Sequence, residues 1–314
     1  MARKIRIATM SGETLSFPYE QGLDKAVENI ISYWGNKLYY VWSDEPDLVV
    51  LPECCDRYRN FTLEQRHEYY NFRGTKVLDY FAEEAKKHNC YIAYSSVIPG
   101  EDGINRNSVI MIDRNGKPMG RYDKVFPVVT ECESNHSVPG NEAVIFECDF
   151  GRVGAAICFD LNFDILRNMY KEKKPELMIF SSAYHGGLMQ NYWAYDLRCW
   201  FVSSVGCGNP STVVNPLGVT VAETSNYASW LTKEINLDYF VGHLDFNFEK
   251  AVAAKEKYKK GFDIFDPGYI GAFLLSSEME DVTALEIAKE FDFETLDGYF
   301  ERNIKYADER RRKE

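Results

Sequence analysis

Apolar and polar positions alternate between strand and helix periods along the first part of the chain. Ile5 and Ile7 alternate with charged neighbours, which predicts an opening strand, and apolar residues over 23–34 then recur at helical spacing. The next apolar run, 47–51, predicts a strand that stops at Pro52, because proline has no N–H to donate to a sheet. The chain therefore begins as strand, helix and strand, which is typical of α/β proteins.

A capping pattern and further apolar runs extend this alternation to residue 246. Thr62 followed by Gln65 predicts a capping box that opens one long helix towards His88. Beyond it, helices are predicted near 164–172 and 188–199, and strands at 90–97, 177–180, 201–206, 211–214, 218–223, 230–236 and 240–246. Crossover connections and antiparallel pairs are therefore mixed along the chain.

Two hairpins are predicted within this alternation. Residues 107–112 and 117–122 flank Asn115-Gly116, and this pair favours a type I′ turn because both central residues then need positive φ. A second hairpin joins 143–148 to 151–158. Antiparallel strands therefore accompany the parallel ones, so the sheets are expected to be mixed.

The chain has no internal repeat, low-complexity stretch or Pro/Gly/Ser-rich linker that would separate domains. This predicts one continuous domain over residues 1–275. Two helical patterns, 282–291 and 294–312, then predict a polar C-terminal helical tail over 276–314. The tail is compatible with docking on its own domain or on a partner subunit.

Composition narrows the classes of partner. The 314 residues carry 36 Lys and Arg against 48 Asp and Glu, a formal net charge of −12. Nucleic acids and anionic membranes attract basic faces, so neither is an expected partner. No apolar run approaches the roughly 20 residues of a membrane-spanning helix. Charges interrupt the first apolar stretch, so a signal peptide is not indicated, and a cytoplasmic location is expected.

Cysteine and histidine spacing argues against a metal or cofactor. The eight cysteines form no CxxC pair, and in a reducing compartment we expect their thiols to be free. The five histidines form no His-x-x-x-His pair, and the sequence contains neither a phosphate-binding loop nor a dinucleotide fingerprint. No metal, nucleotide or other cofactor is therefore expected.

Three reactive side chains directly follow predicted strands: Glu53, Lys124 and Cys158. Strand ends in α/β sheets form a rim where residues distant in sequence converge. A thiol attacks carbon as a thiolate, which calls for a base, and the carbonyl oxygen that becomes negative calls for a cation. Taken alone, a cysteine at a strand end is usually a packing residue, and a lysine or glutamate there is usually a loop charge. The prediction of a reactive site therefore rests on the three residues together.

The order and context of these segments resemble the nitrilase, or carbon-nitrogen hydrolase, superfamily, whose members share a Glu-Lys-Cys triad. The resemblance covers residues 4 to about 246. It rests on six ordered segments, which lie at 47–53, 123–131, 138–140, 151–160, 181–187 and 215–218. An Asp two residues past the cysteine, here Asp160, is typical of the amidase-like branch. True nitrilases instead favour Trp-Glu after the cysteine.

The resemblance implies a four-layer α-β-β-α sandwich with mixed sheets, and a chemistry for the three residues. Cys158 would attack a small amide, carbamoyl compound or, less favoured, a nitrile, and form a thioester. Glu53 would act as the base, and Lys124 with the backbone N–H of Phe159 would hold the oxyanion. Glu131 would position Lys124 or the substrate nitrogen.

The resemblance also suggests the surroundings of the site. Phe159, Tyr184, His185 and Trp193 are predicted to line the substrate pocket, although core packing is an equal alternative for Trp193. Most relatives assemble through helices near the active site. A homo-oligomer, a dimer or larger, is therefore expected.

Several alternatives remain open from the sequence. Asn162 stands where many relatives carry Arg, and Asp164 also departs from the family pattern, so substrate assignments based on this loop do not transfer. Acyl transfer to an acceptor other than water, or a catalytically silent binding scaffold, would preserve the same fold. A papain-like pairing of Cys158 with His136 or His185 is a further, less favoured arrangement.

Overall fold

A computed structural model describes residues 2–13, 15–100, 102–135 and 137–312. The chain divides into two compact units, a large one over Ile5–Glu234 and a small one made of Met1–Lys4 and Ile235–Glu314. No helix in the described ranges is long and apolar enough to cross a membrane.

Fifteen strands are described in chain order: β1 (Lys4–Met10), β2 (Leu48–Val50), β3 (Tyr91–Pro99), β4 (Asn105–Ile112), β5 (Pro118–Asp123), β6 (Ile145–Cys148), β7 (Gly151–Ile157), β8 (Leu177–Ser182), β9 (Trp200–Val205), β10 (Thr212–Val214), β11 (Thr220–Glu223), β12 (Trp230–Asn236), β13 (Tyr239–His243), β14 (Phe262–Phe265) and β15 (Ala272–Ser277). The described α-helices are α1 (Leu23–Trp42), α2 (Leu63–Arg73), α3 (Lys76–His88), α4 (Val129–Asn135), α5 (Asp164–Lys173), α6 (Leu188–Leu197), α7 (Phe248–Tyr258), α8 (Ala284–Glu290) and α9 (Leu296–Arg311).

Two six-stranded mixed sheets form the centre of the large unit, with orders β12-β1-β2-β3-β4-β5 and β11-β10-β9-β8-β7-β6. Buried hydroxyl groups join the two sheets across their inner faces. Ser181 donates to the carbonyl of Leu51 at 2.8 Å, and Ser204 donates to the carbonyl of Met10 at 2.6 Å. These bonds satisfy polar groups that would otherwise be buried unpaired.

Helices cover the outer face of each sheet, which completes the predicted α-β-β-α sandwich. On one side, α1 buries its apolar face, including Ile30 and Trp34, in a core that it shares with Phe81 of α3. On the other, Tyr170 of α5 hydrogen-bonds the backbone of Ala155 in β7 and packs against the Trp193 ring at a centroid distance of 6.3 Å. The helical layers thereby hold the strands whose ends carry the reactive residues.

The helix predicted to run from Thr62 to His88 is two helices. The capping box is confirmed, since the Thr62 hydroxyl accepts from the Gln65 N–H at 3.3 Å and the Gln65 side chain accepts from the Thr62 N–H at 2.9 Å. The helix then ends at Gly74, which has a φ of 50°. A left-handed φ is inexpensive only for glycine, so α2 stops there and α3 begins after Thr75.

Both predicted hairpins form, but the first has a different turn. Only Gly116 has a positive φ, 78°, whereas a type I′ turn would also need one at Asn115. The Asp113 carboxylate accepts from the N–H groups of Asn115 and Lys117, each at 2.8 Å. This local bonding stabilises a longer loop that the Asn-Gly pair alone does not predict.

The small unit contains a three-stranded sheet of order β13-β15-β14 with helices α7, α8 and α9. The two predicted tail helices are confirmed as α8 and α9. The predicted boundary between residues 275 and 276 falls inside β15, whereas the compact units divide at 234 and 235. Residues 313 and 314 of the predicted tail lie outside the described part of the chain.

We expect Gly154→Ala to destabilise the protein, because β7 is packed too closely to accept a methyl group. An added Cβ would lie 2.9 Å from a ring carbon of Tyr170 and even closer to the sulfur of Met178. Overpacking of this kind typically costs about 1–3 kcal/mol. Urea denaturation would measure the loss.

Gly35→Ala is the matched control for that substitution. Gly35 lies in α1, where the added Cβ would meet only the hydroxyl of Tyr80 at 3.2 Å, and alanine is the better helix former. Equal losses of unfolding free energy in the two variants would contradict the packing explanation.

Candidate active site

Glu53 lies in the turn that follows β2, after Pro52 has ended the strand. One carboxylate oxygen accepts from Lys124 Nζ at 2.9 Å and from Asn107 Nδ2 at 2.7 Å. The other accepts from the backbone N–H of Ala183 at 3.1 Å. Burial acts to raise the pKa of Glu53, but the Lys124 ammonium and these hydrogen bonds outweigh it and hold the pKa below its usual range.

Lys124 follows β5 and is 2% exposed. Its ammonium lies between two carboxylates, 2.9 Å from Glu53 and 2.8 Å from Glu131. Burial acts to lower the pKa of Lys124, and the negative charges of Glu53 and Glu131 raise it well above its usual range. The ammonium is therefore a fixed positive charge at neutral pH.

Cys158 directly follows β7 and begins a 3-10 turn over Cys158–Asn162. Its φ is 50°, a left-handed conformation that is costly for a residue with a Cβ. Burial and then the neighbouring Glu53 carboxylate raise the pKa of the Cys158 thiol to about 12, against the opposing charge of Lys124. The sulfur is therefore a thiol at neutral pH, beside a carboxylate and a cation.

Glu131 lies on α4, where the sequence indicates no helix. One of its oxygens accepts from Lys124 Nζ and, at 2.9 Å, from the N–H of Val128. The other accepts from Asn107 Nδ2 at 3.0 Å. The second carboxylate is thus held on the same ammonium as Glu53.

Sequence reasoning missed Asn107. Its amide lies in β4 and donates to both Glu53 and Glu131, so it bridges the two carboxylates. It is 3% exposed. The signal in the sequence is a polar side chain at the start of the apolar run 107–112, but its partners are 54 and 24 residues away along the chain.

Asp160 holds the turn that carries Cys158. Its carboxylate accepts from the Tyr122 hydroxyl at 2.7 Å, from the Ile157 N–H at 2.9 Å and from the Phe126 N–H at 2.8 Å. Burial raises the pKa of Asp160 to about 6, although all three hydrogen bonds oppose the rise. One carboxylate thereby joins the segment after Lys124 to the turn that carries Cys158.

The four predicted pocket residues occupy different environments. Phe159 is 37% exposed next to Cys158, and Tyr184 hydrogen-bonds Asn162 at 3.1 Å. His185 accepts the N–H of Gly187 on Nδ1, so this ring nitrogen is engaged within its own loop. Trp193 is fully buried and donates to the Leu161 carbonyl at 3.1 Å. The structure therefore places Trp193 in the core beneath the nucleophile turn, the alternative that the sequence left open.

The charged groups of the site pair with one another. Over residues 2–13, 15–100, 102–135 and 137–312, no group of three or more His, Cys, Asp or Glu side chains is arranged to hold a metal ion. His136, proposed as a partner for Cys158 in the papain-like arrangement, lies outside the described residues. All eight cysteines are free thiols, as the sequence predicts.

Two mixed sheets between helical layers form an α/β sandwich whose strand ends carry a carboxylate, an ammonium and a thiol. The family model "carbon-nitrogen hydrolase" matches residues 9–241, and the chain belongs to this family. The site residues lie within the matched range.

Individual relatives are distant. Omega-amidase NIT2 of Danio rerio is 28% identical over 218 residues, which cover 61% of this chain and 77% of that protein. The nitrilase and fragile histidine triad fusion protein NitFhit of Caenorhabditis elegans is 25% identical over 242 residues, 68% of this chain but only 53% of its own length. The crystal structure of Saccharomyces cerevisiae Nit3, a nitrilase superfamily member, superposes with a TM-score of 0.62 at 20% identity, covering 74% of this chain and 90% of that one.

We expect Asn107→Ala to lower the rate of amide hydrolysis roughly 10- to 100-fold. The substitution removes a donor from two carboxylates, and a hydrogen bond to a charged group contributes about 1.5–3 kcal/mol. Ammonia release measures the rate, and circular dichroism checks the fold. Asn115→Ala, in the exposed turn of the same hairpin, is the control; an equal loss there would show that the bridge is irrelevant.

Proposed function

We propose that the protein is a cysteine-dependent hydrolase that cleaves the C–N bond of a small amide or N-carbamoyl compound through a thioester on Cys158. The observation that carries the proposal is the cluster in which Lys124 is hydrogen-bonded to Glu53 and Glu131. The Cys158 thiol lies within reach of the same charges, since burial and then Glu53 raise its pKa while Lys124 opposes the rise. These groups supply the nucleophile, the base and the oxyanion stabiliser that such a reaction needs.

In the first half-reaction, the Cys158 sulfur attacks the carbonyl carbon of the substrate. Because the thiol pKa is raised to about 12, Glu53 takes the proton as the C–S bond forms. The Lys124 ammonium and the backbone N–H of Phe159 hold the oxygen as it becomes negative. The protonated Glu53 then gives its proton to the leaving nitrogen, the C–N bond breaks, and a thioester remains.

In the second half-reaction, Glu53 removes a proton from water, which attacks the thioester carbon. The same oxyanion donors serve again, and the C–S bond breaks with return of a proton to the sulfur. One amide and one water are thereby converted to one acid and one amine. Glu131 keeps Lys124 in position, since it is a second carboxylate paired with the same ammonium as Glu53.

The relatives support the amide branch of this proposal. The Danio rerio protein is named an omega-amidase. This chain carries Asp160 two residues after Cys158, which resembles amidase-like branches of the family. Nothing in the site favours a nitrile or an acyl acceptor other than water. The pocket roles of Phe159, Tyr184 and His185, the homo-oligomer and the cytoplasmic location stay predictions.

Cys158→Ala should reduce ammonia release to background across a panel of amides, N-carbamoyl amines and nitriles, because no other group replaces the sulfur. Cys148→Ala, which removes a partly buried thiol on β6, is the control and should keep full activity. Mass spectrometry of the quenched wild-type reaction should show the acyl group on the peptide containing Cys158. Turnover that survives in Cys158→Ala would rule out the thioester mechanism.

We expect kcat/KM to fall as the pH drops through about 6, even though Glu53 stays ionised to lower pH. The raised pKa of Asp160, about 6, means that this carboxylate gains a proton first and then accepts more weakly from its three donors. The nucleophile turn then loosens while the lowered pKa of Glu53 keeps the base competent.

Asp160→Asn tests this assignment, because it mimics the protonated carboxyl group. Its kcat/KM should be low and nearly independent of pH between 5 and 7, whereas Asp164→Asn, an exposed control in the same segment, should keep the wild-type profile. A wild-type profile that is flat across pH 6 would contradict the role of Asp160.

A further inference from the structure

The turn that carries Glu53 ends in a fully buried ion pair that the proposed chemistry does not use. The turn covers residues 53–56, directly after β2 and Pro52. Asp56, its last residue, lies 2.7 Å from the guanidinium of Arg73 on α2, and the two residues are 0% and 1% exposed. Both charges are therefore removed from water, three residues along the chain from Glu53.

The Asp56 carboxylate accepts hydrogen bonds from three side chains. One oxygen accepts from Arg73 Nη1 at 2.7 Å and from the Tyr94 hydroxyl at 2.6 Å, and the other accepts from the Ser96 hydroxyl at 2.5 Å. Arg73 also donates to the Ser96 hydroxyl at 2.7 Å and to the Val97 carbonyl at 2.8 Å. One network of hydrogen bonds thereby fixes the turn to α2 and to β3.

The backbone of the turn requires such support. Cys54, the residue after Glu53, has a φ of 49°, a left-handed conformation that is costly for a residue with a Cβ. The Cys55 N–H donates to the Ser95 carbonyl at 3.0 Å, and the Cys55 carbonyl accepts from the Trp34 indole at 2.8 Å. The turn is thus strained at one residue and held by neighbouring elements at the next.

The turn that carries Cys158 has the same construction. Cys158 has a φ of 50°, close to that of Cys54. Two residues later, Asp160 is fully buried and accepts three hydrogen bonds. Each of the two turns therefore combines a left-handed residue with a buried aspartate that accepts from three donors.

Stability alone does not explain a fully buried ion pair. Removing two charges from water is unfavourable, and replacing such a pair with apolar residues is often neutral or stabilising. The pair does constrain geometry, because any displacement of the turn would leave a buried charge without its partner. Geometry matters here, since a displacement of about 1 Å at a catalytic group can lower the rate roughly 100-fold.

We infer that Asp56 and Arg73 are positioning residues for Glu53: their buried pair holds the 53–56 turn on α2 and β3 and so keeps the Glu53 carboxylate on Lys124. The inference rests on the proposed function, in which Glu53 is the base, and deepens it by naming the groups that fix this base. Both residues act through the backbone of the turn and not by contact with the substrate.

Asp56→Ala combined with Arg73→Met tests the inference, because removing both charges together leaves no buried charge unpaired. We expect kcat for amide hydrolysis to fall roughly 10- to 100-fold, as for a displaced catalytic group, with little change in KM. Arg73→Lys keeps a cation beside Asp56 and should retain most of the wild-type kcat. Circular dichroism and urea denaturation check the fold of each variant.

Arg114→Met is the matched control for the loss of a charge pairing. The Arg114 guanidinium lies 2.8 Å from Asp47 and 2.7 Å from Asp149. Asp47 directly precedes β2, so this pairing is at the opposite end of the strand from Glu53. Its loss should lower the free energy of unfolding and leave kcat unchanged.

A thiol-labelling cycle tests the dependence on Glu53 and needs no substrate. Burial and then the Glu53 carboxylate raise the pKa of the Cys158 thiol, so displacing this carboxylate should speed the labelling of Cys158 by iodoacetamide at pH 8, relative to the exposed Cys207. Glu53→Gln should speed it as well. Adding the Asp56→Ala and Arg73→Met changes to Glu53→Gln should give no further increase, because residues that act through one another are not additive.

Three results would overturn the inference: a wild-type kcat in the Asp56→Ala, Arg73→Met variant, an equal loss of kcat in Arg114→Met, or the same increase in labelling with and without Glu53→Gln. If this variant does not fold, Asp56→Asn combined with Arg73→Met, which keeps the shape of the Asp56 side chain, replaces it in each comparison.

The two assays separate this inference from the proposed function. If the wild-type protein hydrolyses no amide and the labelling cycle gives the expected result, the proposed function fails and the positioning of Glu53 stands. Hydrolysis that depends on Cys158 but is unaffected by loss of the buried pair supports the proposed function and removes the positioning role.

Discussion

The pairing of the Lys124 ammonium with two carboxylates is the interaction on which the rest of the site depends. Lys124 is 2% exposed and its ammonium lies between two carboxylates, so its charge is paired inside the protein. Removing one member of a buried pair is strongly unfavourable, typically by about 3–5 kcal/mol, because the partner charge remains uncompensated. Glu53, Glu131 and Asn107 therefore constrain one another, and the ends of β2, β4 and β5 are held together by charge as well as by packing.

Cys158 is held by a second constraint. A left-handed φ at Cys158 costs roughly 1–3 kcal/mol, so the surrounding structure must enforce it. Asp160 does so through three hydrogen bonds, and the buried Trp193 supports the Leu161 carbonyl from below. The sulfur is thereby fixed beside Glu53, and its raised pKa keeps it protonated.

Much of the fold follows from local patterns in the sequence. Strand and helix periods predicted the alternation through residue 246, and the Thr62 capping box and the tail helices are confirmed. Local patterns were insufficient where a single dihedral angle decided the outcome. Gly74 breaks one predicted helix in two, and Asp113 selects a longer turn than Asn115-Gly116 suggested, because each depends on backbone geometry that periodicity does not encode.

The sequence by itself determined which reactive side chains are present and which strands they follow, since Glu53, Lys124 and Cys158 each directly follow an apolar run. Only the tertiary structure decided what stabilises them. Asn107 bridges two carboxylates from a strand distant in sequence. The physical reason is that hydrogen bonds and charges act over a few ångströms in space, and the distances between these residues in space are set by how β2, β3, β4 and β5 pair within one sheet.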